Sequence, residues 1–158
     1  MNELAIARAL HVLGVVMWIG GVSMVTTILL SAVRAFKTAE ERVAFFEQVE
    51  GRFATQARWT TGLVGATGLW MTWRFDLWWR FTDPNYWWMH AMVAVWVIFT
   101  LMLFVIEPFF LHKRLLHRAQ RNPVGTLSTI QRMHWVLLAL SLITVVGAVA
   151  GSHGGLLG

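Results

Sequence analysis

One run, Leu4 to Val33, restricts this chain more than any other stretch, because its only formal charge is Arg8. About 20 apolar residues suffice to cross the hydrocarbon core of a bilayer as a helix. The run is too long for a cleavable signal and lacks a small-residue cleavage site, so it reads as a retained span. Within it, Leu10 to Gly21 (LHVLGVVMWIGG) sets His11 and Trp18 seven residues apart, on one face of a helix that is otherwise aliphatic and glycine-rich. A titratable ring inside a membrane span costs free energy and marks a functional position unless a hydrogen bond satisfies it.

Three further stretches qualify or come close, giving expected spans at about 4–33, 57–77, 86–112 and 129–152. The predicted fold is therefore all-α: an integral membrane four-helix bundle of up-down topology, a single domain over 1–158. A composition of 57% hydrophobic and 13% charged residues agrees, as do the 10 Trp, since indole favours the membrane interface. Cysteine is absent, which removes disulfides, thiolate zinc sites and Cys-bound iron–sulfur clusters, and leaves His, Met, Glu or Asp to hold any metal. The net charge of +5 lies beside apolar spans and reads as a topology signal, not a nucleic-acid footprint.

Thr38-Ala39-Glu40-Glu41 is a capping box, followed by Val43, Phe46, Val49 and Phe53 at helical spacing. This predicts an amphipathic cytoplasmic helix between the first two spans, lying on the membrane or continuing the second. Asp83-Pro84 makes a short turn between spans two and three, with Trp78, Trp79, Trp87 and Trp88 around it as an aromatic belt. Asn122-Pro123 and Gly125 turn the chain before span four. Arg34, Lys37, Arg42, Arg52 and Arg58 fall in loop one, and Lys113, Arg114, Arg118, Arg121 and Arg132 in loop three. Only Arg8, Arg74 and Arg80 lie opposite, so the positive-inside rule puts both termini on the outer, periplasmic side of a bacterial inner membrane.

Topology turns sequence position into depth. His11 and His90 each lie about one turn inside the outer ends of spans one and three, and His153 lies just past the outer end of span four. His112, His117 and His134 lie at the inner side. Metal and haem sites in bundles are built from facing helices at matched height, with iron or copper bound through imidazole nitrogen. His11 with His90 meets that requirement, His153 is a further ligand or supporting group, and His134 is a candidate for a second, inner site. His112 and His117 read as a polar cytoplasmic rim.

Gly14, one turn from His11 on the same face, leaves room for a ring bound to that histidine. Gly62, Gly65 and Gly68, with Gly20 and Gly21, permit close approach of a helix or a macrocycle. Gly147 and Gly151 read as plain helix packing. Glu107, before Pro108, is expected to pair with Lys113 or Arg114. The methionines lack the Met-x-x-Met clustering of a copper(I) path and read as filler.

The residues Ala7 to Gly21, with Gly51-Arg52-Phe53, Thr61-Gly62 and Thr67-Gly68-Leu69, resemble the first two helices of the CopD-like integral membrane proteins, a group that includes the HemJ-type protoporphyrinogen oxidases. The resemblance covers the first seventy residues. It implies a bundle of four or more helices with a histidine at the position of His11 tied to haem or copper. HemJ-type proteins carry a lysine in helix three shortly after a Trp and His, where this chain has Trp88-Met89-His90-Ala91-Met92, a departure that speaks against protoporphyrinogen oxidation. Arg132-Met133-His134-Trp135, followed by Leu137 to Leu140 and Gly147, is similar to the His-Trp helix opening of bacterial b-type cytochromes, where such a histidine ligates haem.

The resulting expectation is a membrane b-type haem protein for electron transfer, with quinone or a cytochrome as redox partner or as an accessory subunit of a respiratory complex; whether it is itself a haem-dependent oxidoreductase stays open. Its cofactor would be one haem b or two, held by His11, His90 and His134 with Gly14 and Trp18 beside them; metal ligands are sought among His11, His90, His134 and His153. Two alternatives stay open: copper handling by His11, His90 and Met92, and a cofactor-free structural subunit. The bilayer is the expected environment, with a homo-oligomer or larger membrane complex as the assembly.

Overall fold

A computed structural model describes residues 2–33, 35, 38–111 and 123–153. Among them the chain is helical, in four long helices. α1 covers Glu3–Val33 and starts at Asn2, whose Oδ1 accepts the Leu4 N–H at 3.1 Å. At Val25–Leu29 it widens into a π-helix. There the hydroxyls of Thr26 and Thr27 donate to the carbonyls of Val22 and Ser23, 2.6 and 2.8 Å away, and compete with the backbone for those acceptors.

α2 is Ala39–Arg74, one helix of 36 residues, about 54 Å long at the α-helical rise. The expected capping box opens it, with Thr38 Oγ1 accepting from Glu41 N at 3.2 Å and Glu41 Oε2 accepting from Thr38 N at 3.3 Å. The amphipathic segment is thus not a separate element: it runs unbroken into the second apolar stretch, since no proline intervenes to remove a helical hydrogen bond. Just past its C-cap Phe75, Asp76 has a φ of 48°, the left-handed conformation that stops a helix.

Two 3-10 turns, Trp78–Phe81 and Pro84–Tyr86, lead into α3. The predicted Asp83-Pro84 turn is present, with Asp83 Oδ1 accepting from Asn85 N at 2.9 Å. α3 is α-helical over Trp87–Leu101 and π-helical over Met102–Leu111, a segment containing Pro108, which has no N–H to donate. α4 is Pro123–Ser152. Pro123 takes the first position, where a missing N–H is harmless, so Gly125 lies inside this helix and does not turn the chain.

α1, α3 and α4 are each long and apolar enough to cross a membrane. α2, with Arg52, Gln56 and Arg58 along its length, falls outside that set. Its exposed Trp59 and Trp73 bracket its most apolar stretch.

The core is built in two layers. Trp18, Ile19, Val22, Val64, Phe99, Leu137 and Leu138 join all four helices at mid-height. Val25, Leu29, Leu30, Val33, Leu127 and Ile130 pack α1 on α4 towards the long loops, with Phe53 of α2 touching both layers. Close approach depends on glycine where an aromatic ring meets backbone. A Cβ on Gly65 would meet Trp96 at 2.5 Å, and Gly147 and Gly151 lie directly under the rings of Trp87 and Trp88. Trp88 is accordingly buried against α4, whereas Trp78 and Trp79 remain half exposed as a belt.

Candidate functional site

The antiparallel arrangement leaves one end of the bundle with Asn2, the turn at residues 75–86 and Ser152, here the terminal end, and places the long connections at the other. His11, His90 and His153 lie at the terminal end and His134 towards the long loops, as their depth in the sequence predicted.

His11 is set by α2. Its Nδ1 lies 3.1 Å from the Val64 carbonyl and 3.0 Å from Thr67 Oγ1. A carbonyl only accepts, so Nδ1 carries the hydrogen. Thr67 Oγ1 donates its own proton to Leu63 O at 2.7 Å and is therefore a second acceptor for the ring. Gly68 makes this approach possible, since a Cβ there would stand 3.2 Å from His11 Cε1. The consequence is a fixed tautomer whose Nε2 bears the lone pair. In metal- and haem-ligating histidines, the second nitrogen is held by a carbonyl or carboxylate in this way.

The neighbours of His11 differ in part from expectation. The space beside Gly14 is taken by α2, because a Cβ there would meet Val64 Cγ2 at 2.8 Å. His90 is exposed on α3, its ring edge-on to Phe81 with centroids 5.4 Å apart. His153 is exposed in the last turn of α4, where Nδ1 donates to Val149 O at 2.8 Å. Each of these three histidines is held by a different element, and among the described residues no group of three or more His, Cys, Asp or Glu is placed to hold a metal ion. His112 and His117 lie outside the described residues.

His134 is buried, and its Nδ1 donates to Ile130 O at 2.9 Å, again leaving Nε2 as the acceptor. It lines a cavity of about 60 Å³ that all four helices enclose, with Trp18, Glu50, Phe99 and Glu107 among the other walls. Trp18 is 3% exposed and packs edge-on against Phe99 at 4.9 Å, and its indole N–H has no acceptor among the described residues.

Glu107 pairs with Arg58, at 3.1 Å, where the sequence predicted Lys113 or Arg114, which lie outside the described residues. Arg58 Nε also donates to Leu103 O at 3.1 Å, so one guanidinium ties α2 to the π-helical part of α3. Sequence reasoning placed Arg58 in a loop and missed this role. The available signal was its place beside Trp59 at the start of an apolar stretch, where an arginine needs a partner. Thr67 and Glu50 were missed as well; Thr67 lies two turns from Thr60 on the α2 face that receives α1.

No known protein family, curated protein or solved structure matches this chain.

Proposed function

We propose that this chain is a multi-pass protein of the cell membrane, with both termini on the outer side, that carries electrons through a b-type haem held at its terminal end by His11. Membrane residence is supported by the three apolar helices and by the large aliphatic side chains they turn outwards, Val16, Ile28, Ile143 and Val146 among them. The observation that carries the haem reading is the tautomer of His11: α2 holds Nδ1–H on a backbone carbonyl and leaves Nε2 to bind iron. Haem supplies one-electron chemistry whose potential responds to its axial ligands and their hydrogen bonds. His90, at the same end and without a hydrogen bond among the described residues, is the candidate second ligand. A single haem at the outer face suits exchange with a periplasmic partner or a membrane quinone.

His134 is not given this role. Glu50 and Glu107 line the cavity beside it, an acidic setting that suits hydration better than a largely apolar macrocycle.

The test is an optical spectrum with metal analysis of the purified protein and of His11→Ala, His90→Ala and His134→Ala. The expected result is a Soret band with stoichiometric iron, lost in His11→Ala, altered in His90→Ala and retained in His134→Ala. Stoichiometric copper without haem would replace this reading with copper handling by the same histidines. Absence of both metals would leave a structural subunit.

A further inference from the structure

The cavity around His134 has a mixed lining. Trp18, Val22, Phe53, Phe99 and Leu137 make most of it apolar, while His134, Glu50 and Glu107 come to it from three different helices. The hydrogen-bonding demands of the polar groups are specific. His134 Nε2 needs a donor, because Nδ1 already holds the ring hydrogen on Ile130 O. Carboxylates accept only, and Glu107 spends one oxygen on Arg58. Trp18, also in the lining, has an N–H that needs an acceptor. A ligand that both donates and accepts in so small a space is water. The cavity exceeds several-fold the roughly 10–15 Å³ that one water requires, so it has room for a few.

We propose that this cavity is a water inlet from the long-loop side, in which a short chain of water molecules links the Glu107–Arg58 pair to His134 and reaches the level of Trp18. The charged residues mark its mouth: Glu50 precedes Arg58 on α2 by eight positions towards the long loops, and Glu107 keeps a second oxygen beyond its contact with Arg58 that water can reach. Its floor is the edge-to-face pair of Trp18 and Phe99. Seven residues separate Trp18 from His11, about 10 Å of helix, so the dry barrier between the inlet and the terminal-end histidine is short. The inlet stands whether or not His11 binds haem.

The chain has no cysteine, so single thiols report water access directly: a hydrated thiolate binds Ag⁺, a membrane-impermeant ion small enough for a water site, and is then protected from a thiol label added after solubilisation. Ala54→Cys and Ala57→Cys, both small changes in the cavity wall, are compared in sealed proteoliposomes with Val25→Cys, in the fully buried second core layer, and with Thr38→Cys, exposed at the start of α2. Ala54→Cys, Ala57→Cys or both should be protected roughly tenfold or more faster than Val25→Cys, and only when Ag⁺ is present on the side that protects Thr38→Cys. Protection of both cavity thiols at the Val25→Cys rate, with Thr38→Cys protected normally, would overturn the inlet. Protection from the opposite side alone would overturn its direction. None of these readouts depends on bound haem.

Discussion

Gly65→Ala provides the sharpest test of how α2 and α3 meet. The added Cβ would lie 2.5 Å from Trp96 Cζ2 and 2.8 Å from its Nε1, where ordinary contact begins near 3.4 Å. The indole must therefore retreat from α2 by about 1 Å, which stretches the 2.9 Å bond from Trp96 Nε1 to Thr61 O beyond the roughly 3.2 Å limit of a good N–H···O bond. Overpacking costs about 1–3 kcal/mol, and an orphaned buried donor about 1–3 kcal/mol more. Alanine returns about 0.5–1 kcal/mol through its better helix propensity, leaving a net loss of about 1–5 kcal/mol. Gly62→Ala, one turn away, is the matched control, because nothing lies within 4 Å of its Cβ; it should stabilise by about 0.5–1 kcal/mol. Denaturant titration in micelles, followed by circular dichroism and by tryptophan fluorescence, measures both. Equal stability of the two variants would refute the close contact of Trp96 with the α2 backbone.

Thr67→Val removes one of the two acceptors of His11 Nδ1 and keeps the Val64 carbonyl; haem retention, read from the Soret band on dilution, should fall about tenfold, well short of the complete loss in His11→Ala. Glu107→Gln and Arg58→Met should each cost about 1.5–3 kcal/mol, the range for hydrogen bonds to charged groups, and a double-mutant cycle by denaturant titration should show the losses to be non-additive. Additive losses would mean that the 3.1 Å pair contributes nothing. Asp76→Ala should be less stable than Asp76→Gly by about 1 kcal/mol, because the φ of 48° penalises any residue with a Cβ; melting temperatures of the two variants decide it. Reporter fusions to Gly158 and to residue 35 should place the C-terminus and the first loop on opposite sides of the membrane.

Much of the architecture is written locally. Helix position follows from apolar runs whose transfer free energy is a property of each residue, and the start of α2 follows from Thr38 and Glu41, which satisfy each other's backbone three residues apart. Depth is also local, because helical rise is constant; that is why the histidines sort into a terminal-end set and a long-loop set from the sequence alone. The continuity of α2 was half legible, since the absence of proline permits a continuous helix without requiring it.

Lateral neighbours are another matter. The sequence puts His11 and His90 at one level, yet tertiary packing gives His11 to the Val64 carbonyl and leaves His90 against Phe81, because the rotation of each helix about its own axis depends on which glycines receive which rings. Gly14 looked open in sequence and is filled by Val64. Glu107 had basic residues close by in the chain and found its partner on another helix, at Arg58. The sequence by itself determined which segments are helical, how α2 is capped and at which end of the bundle His11, His90, His134 and His153 lie; it misplaced the start of α4, which takes in Gly125. Only the tertiary structure decided which groups face one another, because helix-to-helix contact is made by side chains distant in the chain, and no local periodicity encodes that pairing.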